Sequence, residues 1–477
     1  MNRSIRRLYL TLVGGFVLLV LMLGWWQIVV ADDLRDRPGN LQARQAERLI
    51  DRGRILTADG TVLAASRARR IDGQRVYQRV YPQGSLAAHV VGYTSGERGK
   101  TGVESTYNRY LSGSFGTEPL LQRLNLSEKR GADVRLTIDA RVQAAAEQAL
   151  AGRRGSVVAI EPSTGAVLAM ASSPTFDLQQ AITDFTAIPS EGGPLLNRAT
   201  SGRYAPGSTF KVVTTTSALE NGLYDSDSQF TDTGSYDTPG GEIRNFDGAT
   251  FGRHTLTTAL TNSINTTFAR IGDDLGASRL GETMDAYGFG ARPPIDLPAE
   301  EVVASGLLGP DGILPNDEAG VDAARLAIGQ ERLAVTPLQM AMVAAAVAND
   351  GTVMAPRLLG RIVDRGGGVV RTGDPQELEQ VMSSELADEL AAMMENVVRE
   401  GTGTAAALSA TGVTVAGKTG TAESDDAERN QAWFIGFAPA EDPEIAVAVV
   451  IEDTSSTGGA AAAPVAAEVM RAALEDT

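Results

Sequence analysis

From Leu8 to Val30 the chain runs 23 residues without a charge and with few polar side chains. At 1.5 Å per residue such a run crosses the hydrocarbon core of a bilayer as a single helix. Arg3, Arg6 and Arg7 precede it, and Asp32 and Asp33 come directly after it. Basic flanks stay on the cytoplasmic side, so everything after Ala31 is expected outside, on a single-pass anchor in the cell membrane. Trp25 and Trp26 suit the far interface. A cleaved signal peptide is the rival reading, because Val29-Val30-Ala31 resembles a small-residue cleavage site. The length of the run favours the anchor.

The rest of the 477 residues is too long for one ordinary domain, and a hydrophobic fraction of 43% supports a substantial core. A net charge of -17 argues against a nucleic-acid partner, which needs a basic face. The chain has no cysteine, which removes thiolate chemistry, disulfides and thiolate metal sites. Its two histidines, His89 and His254, leave little room for a Ser-His-Asp triad or a histidine-rich zinc site. No metal and no cofactor is expected. Of 42 basic residues only Lys100, Lys129, Lys211 and Lys418 are lysine. Arginine keeps its proton in a protein, whereas a desolvated lysine can give it up, so these four are the candidates for base chemistry.

Residues 1–31 thus form a cytoplasmic tip and anchor. Residues 32–152 are arginine-rich and mixed in pattern, and read as a pedestal lifting the remainder off the membrane. Within it, Arg52 to Ala64 predicts two strands joined by a turn at Asp59-Gly60. From residue 153 the texture changes. Ser156 to Glu161 and Ala166 to Ala171 are apolar runs joined through Pro162-Ser163-Thr164-Gly165. Three further runs cover Val413 to Thr421, Ala432 to Ala438 and Ile445 to Ile451, and an alanine-rich helix is expected from Pro464 to Leu474. Strands from both ends of residues 153–477 with helical sequence between them predict an α/β domain. Its short links make the sheet antiparallel.

Ala205-Pro206-Gly207 leads into Ser208-Thr209-Phe210-Lys211, with a helix expected to run to Glu220 and stop at Asn221-Gly222. Spacing of three puts the Lys211 ammonium on the face of the Ser208 hydroxyl. A serine is a weak nucleophile until a base takes its proton, and with histidine scarce a buried lysine is the natural base. Free N–H groups at a helix start suit a developing oxyanion. Ser263-Ile264-Asn265 offers a hydroxyl to relay a proton and an amide to bind a substrate carbonyl. Lys418-Thr419-Gly420-Thr421 falls on a predicted strand, where an ammonium and two hydroxyls suit a substrate carboxylate. A peptide could lie against that edge as an added strand. Gly420 permits close approach, and the Thr421 N–H is a candidate second oxyanion donor.

Each fragment alone is cheap. Ser-x-x-Lys, Ser-x-Asn and Lys-Thr-Gly in that order are the set shared by penicillin-binding proteins and class A β-lactamases. Over nearly its whole length the sequence resembles the class B penicillin-binding proteins, most closely the actinobacterial penicillin-binding protein A group. Tyr204 to Lys211 resembles the catalytic stretch, with Ala205 where a second proline is usual. Asn197-Arg198-Ala199, Ile328-Gly329-Gln330-Glu331, Gly401-Thr402-Gly403 and Trp433-Phe434-Ile435-Gly436 resemble the transpeptidase framework. Arg52-Gly53-Arg54, Gly102-Val103-Glu104 with Tyr107, and Thr137-Ile138-Asp139 resemble the N-terminal module.

The resemblance implies a penicillin-binding/β-lactamase-like domain with a five-stranded antiparallel sheet flanked by helices. It implies a peptidoglycan D,D-transpeptidase in which Ser208 attacks a stem peptide ending in D-Ala-D-Ala. Lys211 and Ser263 would move the proton, and Asn265, Lys418, Thr419, Gly420 and Thr421 would hold the substrate. β-Lactams would acylate Ser208, and a SEDS-type glycosyltransferase in the membrane would supply glycan. A β-lactamase would need a carboxylate for deacylation, and no Glu-x-x-Leu-Asn pattern occurs after Ser263. A D,D-carboxypeptidase, which differs only in using water as acceptor, and a β-lactam-binding division scaffold without turnover remain as alternatives.

Overall fold

The structure, a computed structural model, describes residues 3–29, 48–71, 73–95, 98–115, 130–408, 411–422 and 430–475. Arg3–Gly24 is α-helical (α1) and continues as a π-helical turn over Trp25–Val29. The stretch Arg3–Gln27 is long and apolar enough to cross a membrane, with a mean hydropathy of 2.2 and no part of it buried. Val30, the cleavage-like Ala31, Asp32, Asp33 and Lys129 lie outside the described residues.

The predicted hairpin is present. β1 (Ile55–Leu56) pairs antiparallel with β2 (Val62–Ile71), and Gly60 turns the chain with φ 95°. β3 (Gln74–Val80) pairs with β2, and β4 (Asp133–Leu136) runs parallel to β1. The far edge is completed from another part of the chain, by a hairpin of Leu359–Val363 and Val369–Thr372, giving six strands. Beneath this sheet Glu104 is fully buried and accepts from Arg52 Nη2 at 2.8 Å and from Arg79 Nε at 2.5 Å. Burial pushes its carboxyl up, but the Arg79 and Arg52 guanidinium groups outweigh that and hold it below the usual range.

The second sheet consists of β5 (Gly155–Glu161), β6 (Ala166–Ser173), β7 (Ala416–Ala422), β8 (Asn430–Ala438) and β9 (Ile445–Thr454). Their order is β7-β8-β9-β5-β6, every pair antiparallel. Alternate residues go to different cores. Val158, Ile160, Trp433, Ile435, Ala448 and Val450 pack on one face; Val157, Ala159, Phe434, Val447 and Val449 pack on the other. Burial on both faces is why these strands read as continuous apolar runs rather than as alternating ones. One face is covered by α2 (Ala140–Leu150) and the C-terminal helix Ala463–Leu474; the other carries the buried helix Pro337–Val347.

Two local features differ from expectation. The run from Val413 enters the sheet only at Ala416, because Val413 is drawn into a bridge with Leu408. The helix α2 falls inside residues 32–152, yet its Val142, Ala146, Ala149 and Leu150 pack with Val157 and Val449 on the second sheet. Asp139 caps it, accepting from the Arg141 and Val142 amides.

Removing the charge of Glu104 would strand two buried guanidinium groups. Glu104→Gln is expected to cost about 3–5 kcal/mol, the scale of breaking one partner of a buried ion pair. Differential scanning calorimetry of the full chain should show a lowered transition for the N-terminal part; an unchanged thermogram would show that the network is not stabilising.

Candidate active site

The stretch carrying Ser208 is a 3-10 turn, Gly207–Phe210, that passes directly into α3 (Lys211–Glu220). Val212, Val213 and three threonines are poor helix formers, and burial holds them in place. Every residue from Lys211 to Leu219 is buried. The threonine hydroxyls are satisfied internally: Thr215 donates to Lys211 O at 2.7 Å, Thr216 to Val212 O at 3.0 Å and Thr214 to Ala327 O at 2.8 Å. Asn221 caps the end, and Gly222 at φ 59° turns the chain away.

The turn packs against the edge strand β7. Gly207 has φ 51°, and a Cβ there would lie 2.8 Å from Thr421 O. A Cβ on Gly420 would lie 2.8 Å from Pro206 O. Both positions require glycine because two backbones meet there. Trp433 Nε1 donates to Ala205 O at 3.0 Å, fixing the turn from behind. Ser208 is half-buried, and its Oγ makes no hydrogen bond within the described residues.

Ser263 lies between the helix Leu256–Thr261 and α4 (Asn265–Ala286), with φ 58°. That left-handed conformation is uncommon for serine and turns its side chain between the two lysines. Lys211 Nζ donates to Ser263 O at 2.8 Å, Ser263 Oγ at 3.1 Å and Asn265 Oδ1 at 2.7 Å. Lys418 Nζ donates to the same Ser263 Oγ at 3.0 Å and to Thr419 O at 2.8 Å. Asn265 Nδ2 donates to Arg244 O at 3.0 Å, which leaves it one further N–H. Two lysines, 52 and 155 positions away in the chain, are thereby brought to one hydroxyl.

Both lysines are 0% exposed. Neither has a carboxylate partner among the described residues, and Lys211 Nζ sits 5.2 Å from the Phe268 ring centroid. Burial, and then the neighbouring Lys418 charge, hold Lys211 well below the ordinary lysine range. Burial pushes Lys418 down to about 7. A hydroxyl oxygen has two lone pairs; with both taken by lysine N–H donors, the Ser263 proton is free to point elsewhere.

Thr419 shares a 2.5 Å hydroxyl contact with Thr402, from the Gly401-Thr402-Gly403 stretch. Thr421 Oγ1 accepts from Gly458 N at 3.2 Å, keeping its own proton available. Among the described residues the edge strand β7 pairs only with β8, so its outer edge carries no strand partner. The structure therefore gathers Lys211, Ser263, Asn265 and Lys418 into one hydrogen-bonded cluster, and sets Ser208 in a turn packed on Gly420 and Thr421.

Two supporting networks were not expected from sequence. Asp232 accepts from Thr266 Oγ1, Asn245 Nδ2, Phe251 N and Gly234 N, which holds the segment whose Arg244 carbonyl meets Asn265. Glu452 accepts from Arg198 Nε at 2.8 Å and Tyr204 Oη at 2.6 Å, clamping the chain four residues ahead of Ser208. The only hint of Glu452 in the sequence is a charge directly after an apolar strand. The histidines are structural: His89 Nε2 contacts Pro194 O, and burial pushes it down to about 4; His254 bridges Gly252 O and Thr267 Oγ1.

The family model for the penicillin binding protein transpeptidase domain matches residues 155–471, and that for the penicillin binding protein A dimerisation domain matches residues 52–134. The peptidoglycan D,D-transpeptidase PbpA of Mycolicibacterium smegmatis is 37% identical, with 100% of both chains covered. The PbpA of Mycobacterium tuberculosis is 35% identical over 100% of this chain and 99% of its own. The fold matches penicillin-binding protein A from M. tuberculosis in a ceftriaxone acyl-enzyme complex, with TM-score 0.80 and 33% identity over 90% of this chain and 99% of that one. A D,D-transpeptidase domain from Eggerthella lenta matches with TM-score 0.78 and 36% identity, over 90% and 99%. By whole-length identity, by matched domains and by fold, this chain belongs to the penicillin-binding protein transpeptidase family.

Proposed function

We propose that this chain is a peptidoglycan D,D-transpeptidase acting through an acyl-enzyme on Ser208. The observation that carries the reading is the convergence of two buried, carboxylate-free lysines on the Ser263 hydroxyl, beside the turn that presents Ser208. Relatives at full-length identity bear that activity in name, and β-lactam acyl-enzymes are known for a protein of the same fold.

Ser208 Oγ attacks the carbonyl of the penultimate D-alanine and its proton passes to Lys211. N–H groups of Ser208 and Thr421 take up the charge on the carbonyl oxygen. Ser263, held between Lys211 and Lys418, passes a proton to the departing D-alanine amine as the peptide bond breaks. An amine of a second stem peptide then attacks the ester, and Ser208 regains its proton. Lys418, Thr419 and Thr421 face the terminal carboxylate along the open edge of β7, and the spare Asn265 N–H faces a substrate carbonyl. In free enzymes the hydrogen bond from nucleophile to base often forms only once substrate is seated, which accommodates the unbonded Ser208.

The long apolar helix supports a single-pass anchor with the N-terminus in the cytoplasm and the catalytic domain outside. On this reading residues 1–31 anchor the chain, 32–152 form the pedestal and 153–477 carry catalysis, with α2 already packed on the catalytic sheet. A membrane glycosyltransferase of the SEDS type would make the glycan that this enzyme cross-links.

A membrane-impermeant fluorescent penicillin added to spheroplasts expressing the chain is expected to label wild type and leave Ser208→Ala unlabelled. Label that persists for hours separates the enzyme from a β-lactamase. Labelling only after lysis would put the domain on the inner side, and none at all on folded protein would count against the Ser208 acyl-enzyme.

Ser263→Ala should slow acylation by roughly 10²- to 10⁴-fold, the range for losing an acid–base group. Stopped-flow acylation kinetics check this, and an unchanged rate removes Ser263 from proton transfer.

Because the neutral form of Lys211 is the base, acylation should fall only as pH drops through its depressed pKa, far below the ordinary 10.5. Lys418→Met removes a neighbouring positive charge, so the acid limb should move to higher pH besides losing amplitude. A limb that stays in place would show that the two lysines do not interact.

A further inference from the structure

A cavity of about 380 Å³ lies between the pedestal's β2–β3 hairpin and the helix Leu178–Thr183 of the catalytic domain. Arg48, Arg52, Arg79 and Arg98 line it. Arginine stays protonated even when buried, so all four bring positive charge. Among the described residues Glu104 is the one carboxylate paired with any of them, through Arg52 and Arg79. Among the described residues three of these positive charges are thus left without a paired carboxylate, in a chain whose net charge is -17.

The inner two arginines are also incompletely bonded. Arg52 gives Nη1 to Asn108 and Nη2 to Glu104, and Arg79 gives Nε to Glu104 and Nη1 to Gly53 O. Among the described residues Arg52 Nε and Arg79 Nη2 have no partner, although their side chains are only 6% and 5% exposed. Leaving a donor on a buried charged group unpaired is costly, and a small shift of either guanidinium toward an acceptor in the cavity would recover that cost. The outer two are exposed, and Arg98 lies over the Phe185 ring with its Cζ 4.0 Å from the centroid. That stacking holds one guanidinium plane at the rim while leaving its N–H edge for a ligand.

We infer that this cavity is a binding site for a phosphate-bearing anion. A guanidinium fork fits carboxylate and phosphate oxygens alike, and the charge count separates them. A carboxylate supplies a single negative charge, against about 1.5 to 2 from a phosphate monoester at neutral pH and more from a pyrophosphate. Three arginine charges with no carboxylate partner among the described residues match the latter pair. The hydroxyls of Ser66 and Thr94 on the wall add further polar contacts. None of these residues takes part in the transpeptidase reaction, so the site stands apart from it. The same chemistry could be presented by a soluble phosphate compound or by an anionic lipid headgroup at the membrane below the pedestal.

The test uses the full chain and hydrogen–deuterium exchange of the β2–β3 amides. In neutral detergent, inorganic pyrophosphate is titrated against sodium chloride of equal ionic strength. In nanodiscs, phosphatidic acid is compared with phosphatidylcholine alone. Arg48→Ala/Arg98→Ala, which alters two exposed side chains, serves as the binding-deficient variant, and its penicillin adduct confirms folding. Saturable protection is expected, with affinity about 10²-fold weaker in the double variant, roughly tenfold for each charge-assisted hydrogen-bonding arginine removed. Protection by pyrophosphate alone identifies a soluble ligand; protection in phosphatidic acid discs identifies a headgroup. No saturable protection in either arm, or protection that the double variant retains in full, overturns the inference.

Discussion

Two ammonium groups buried against one hydroxyl set the terms for the rest of this molecule. Taking a lysine out of water costs several kcal/mol after relaxation, and neither Lys211 nor Lys418 recovers it from a carboxylate. What they have instead are neutral acceptors: the Ser263 hydroxyl and carbonyl, the Asn265 amide oxygen and the Thr419 carbonyl. Neutral dipoles solvate an ammonium less well than a carboxylate would, so both groups lose protons more easily than lysine ordinarily does. The absence of a counter-ion has a second consequence. On the proposed reading it also leaves Lys418 available to the carboxylate of an incoming peptide. A built-in carboxylate would have raised Lys211 and competed for Lys418, so on that reading basicity and substrate attraction rest on one omission.

Holding that arrangement requires stiffness in three separate pieces of chain. Lys211 is fixed by a helix whose every residue to Leu219 is buried. Lys418 is fixed by the edge strand of a sheet filled on both faces. Ser263 is fixed by a left-handed backbone conformation, of order 1–3 kcal/mol in cost, that the helices on either side over-determine. Asp232 extends this outward by gathering four donors around the loop that supplies the acceptor for Asn265. Glu452 and Trp433 do the same for the Tyr204–Ala205 approach to Ser208.

How much of this can be read from the chain depends on the range of the interaction. The five strands are legible because burial on both faces leaves uninterrupted apolar runs, and the site residues because three short motifs occur in a fixed order. The shared hydroxyl is not legible: nothing local to Ser263 says that residues 52 and 155 positions away will meet it. The sixth strand of the pedestal sheet is invisible for a different reason. Val369–Thr372 is exposed throughout, so it has no periodicity to reveal, and it reaches the sheet only through its partner Leu359–Val363. Helix α2 is amphipathic by sequence, but which sheet its apolar face covers is decided by tertiary packing alone.

These long-range pairings also make the pedestal and the catalytic domain mechanically continuous. The hairpin at residues 359–372 extends the pedestal sheet while its own chain leads from the buried helix Pro337–Val347 of the catalytic domain. Glu301 receives the Gly102 amide from the pedestal at 3.0 Å, and its carbonyl accepts from Thr200 and Ser201 at 2.7 Å, a few residues ahead of Tyr204. Glu147 on α2 receives the Ala87 amide at 2.8 Å. A linker lets domains move independently only where few contacts cross it. Here sheet pairing, helix packing and partly buried side-chain hydrogen bonds all cross the junction, and the Glu301 contacts end in the segment that leads to Ser208.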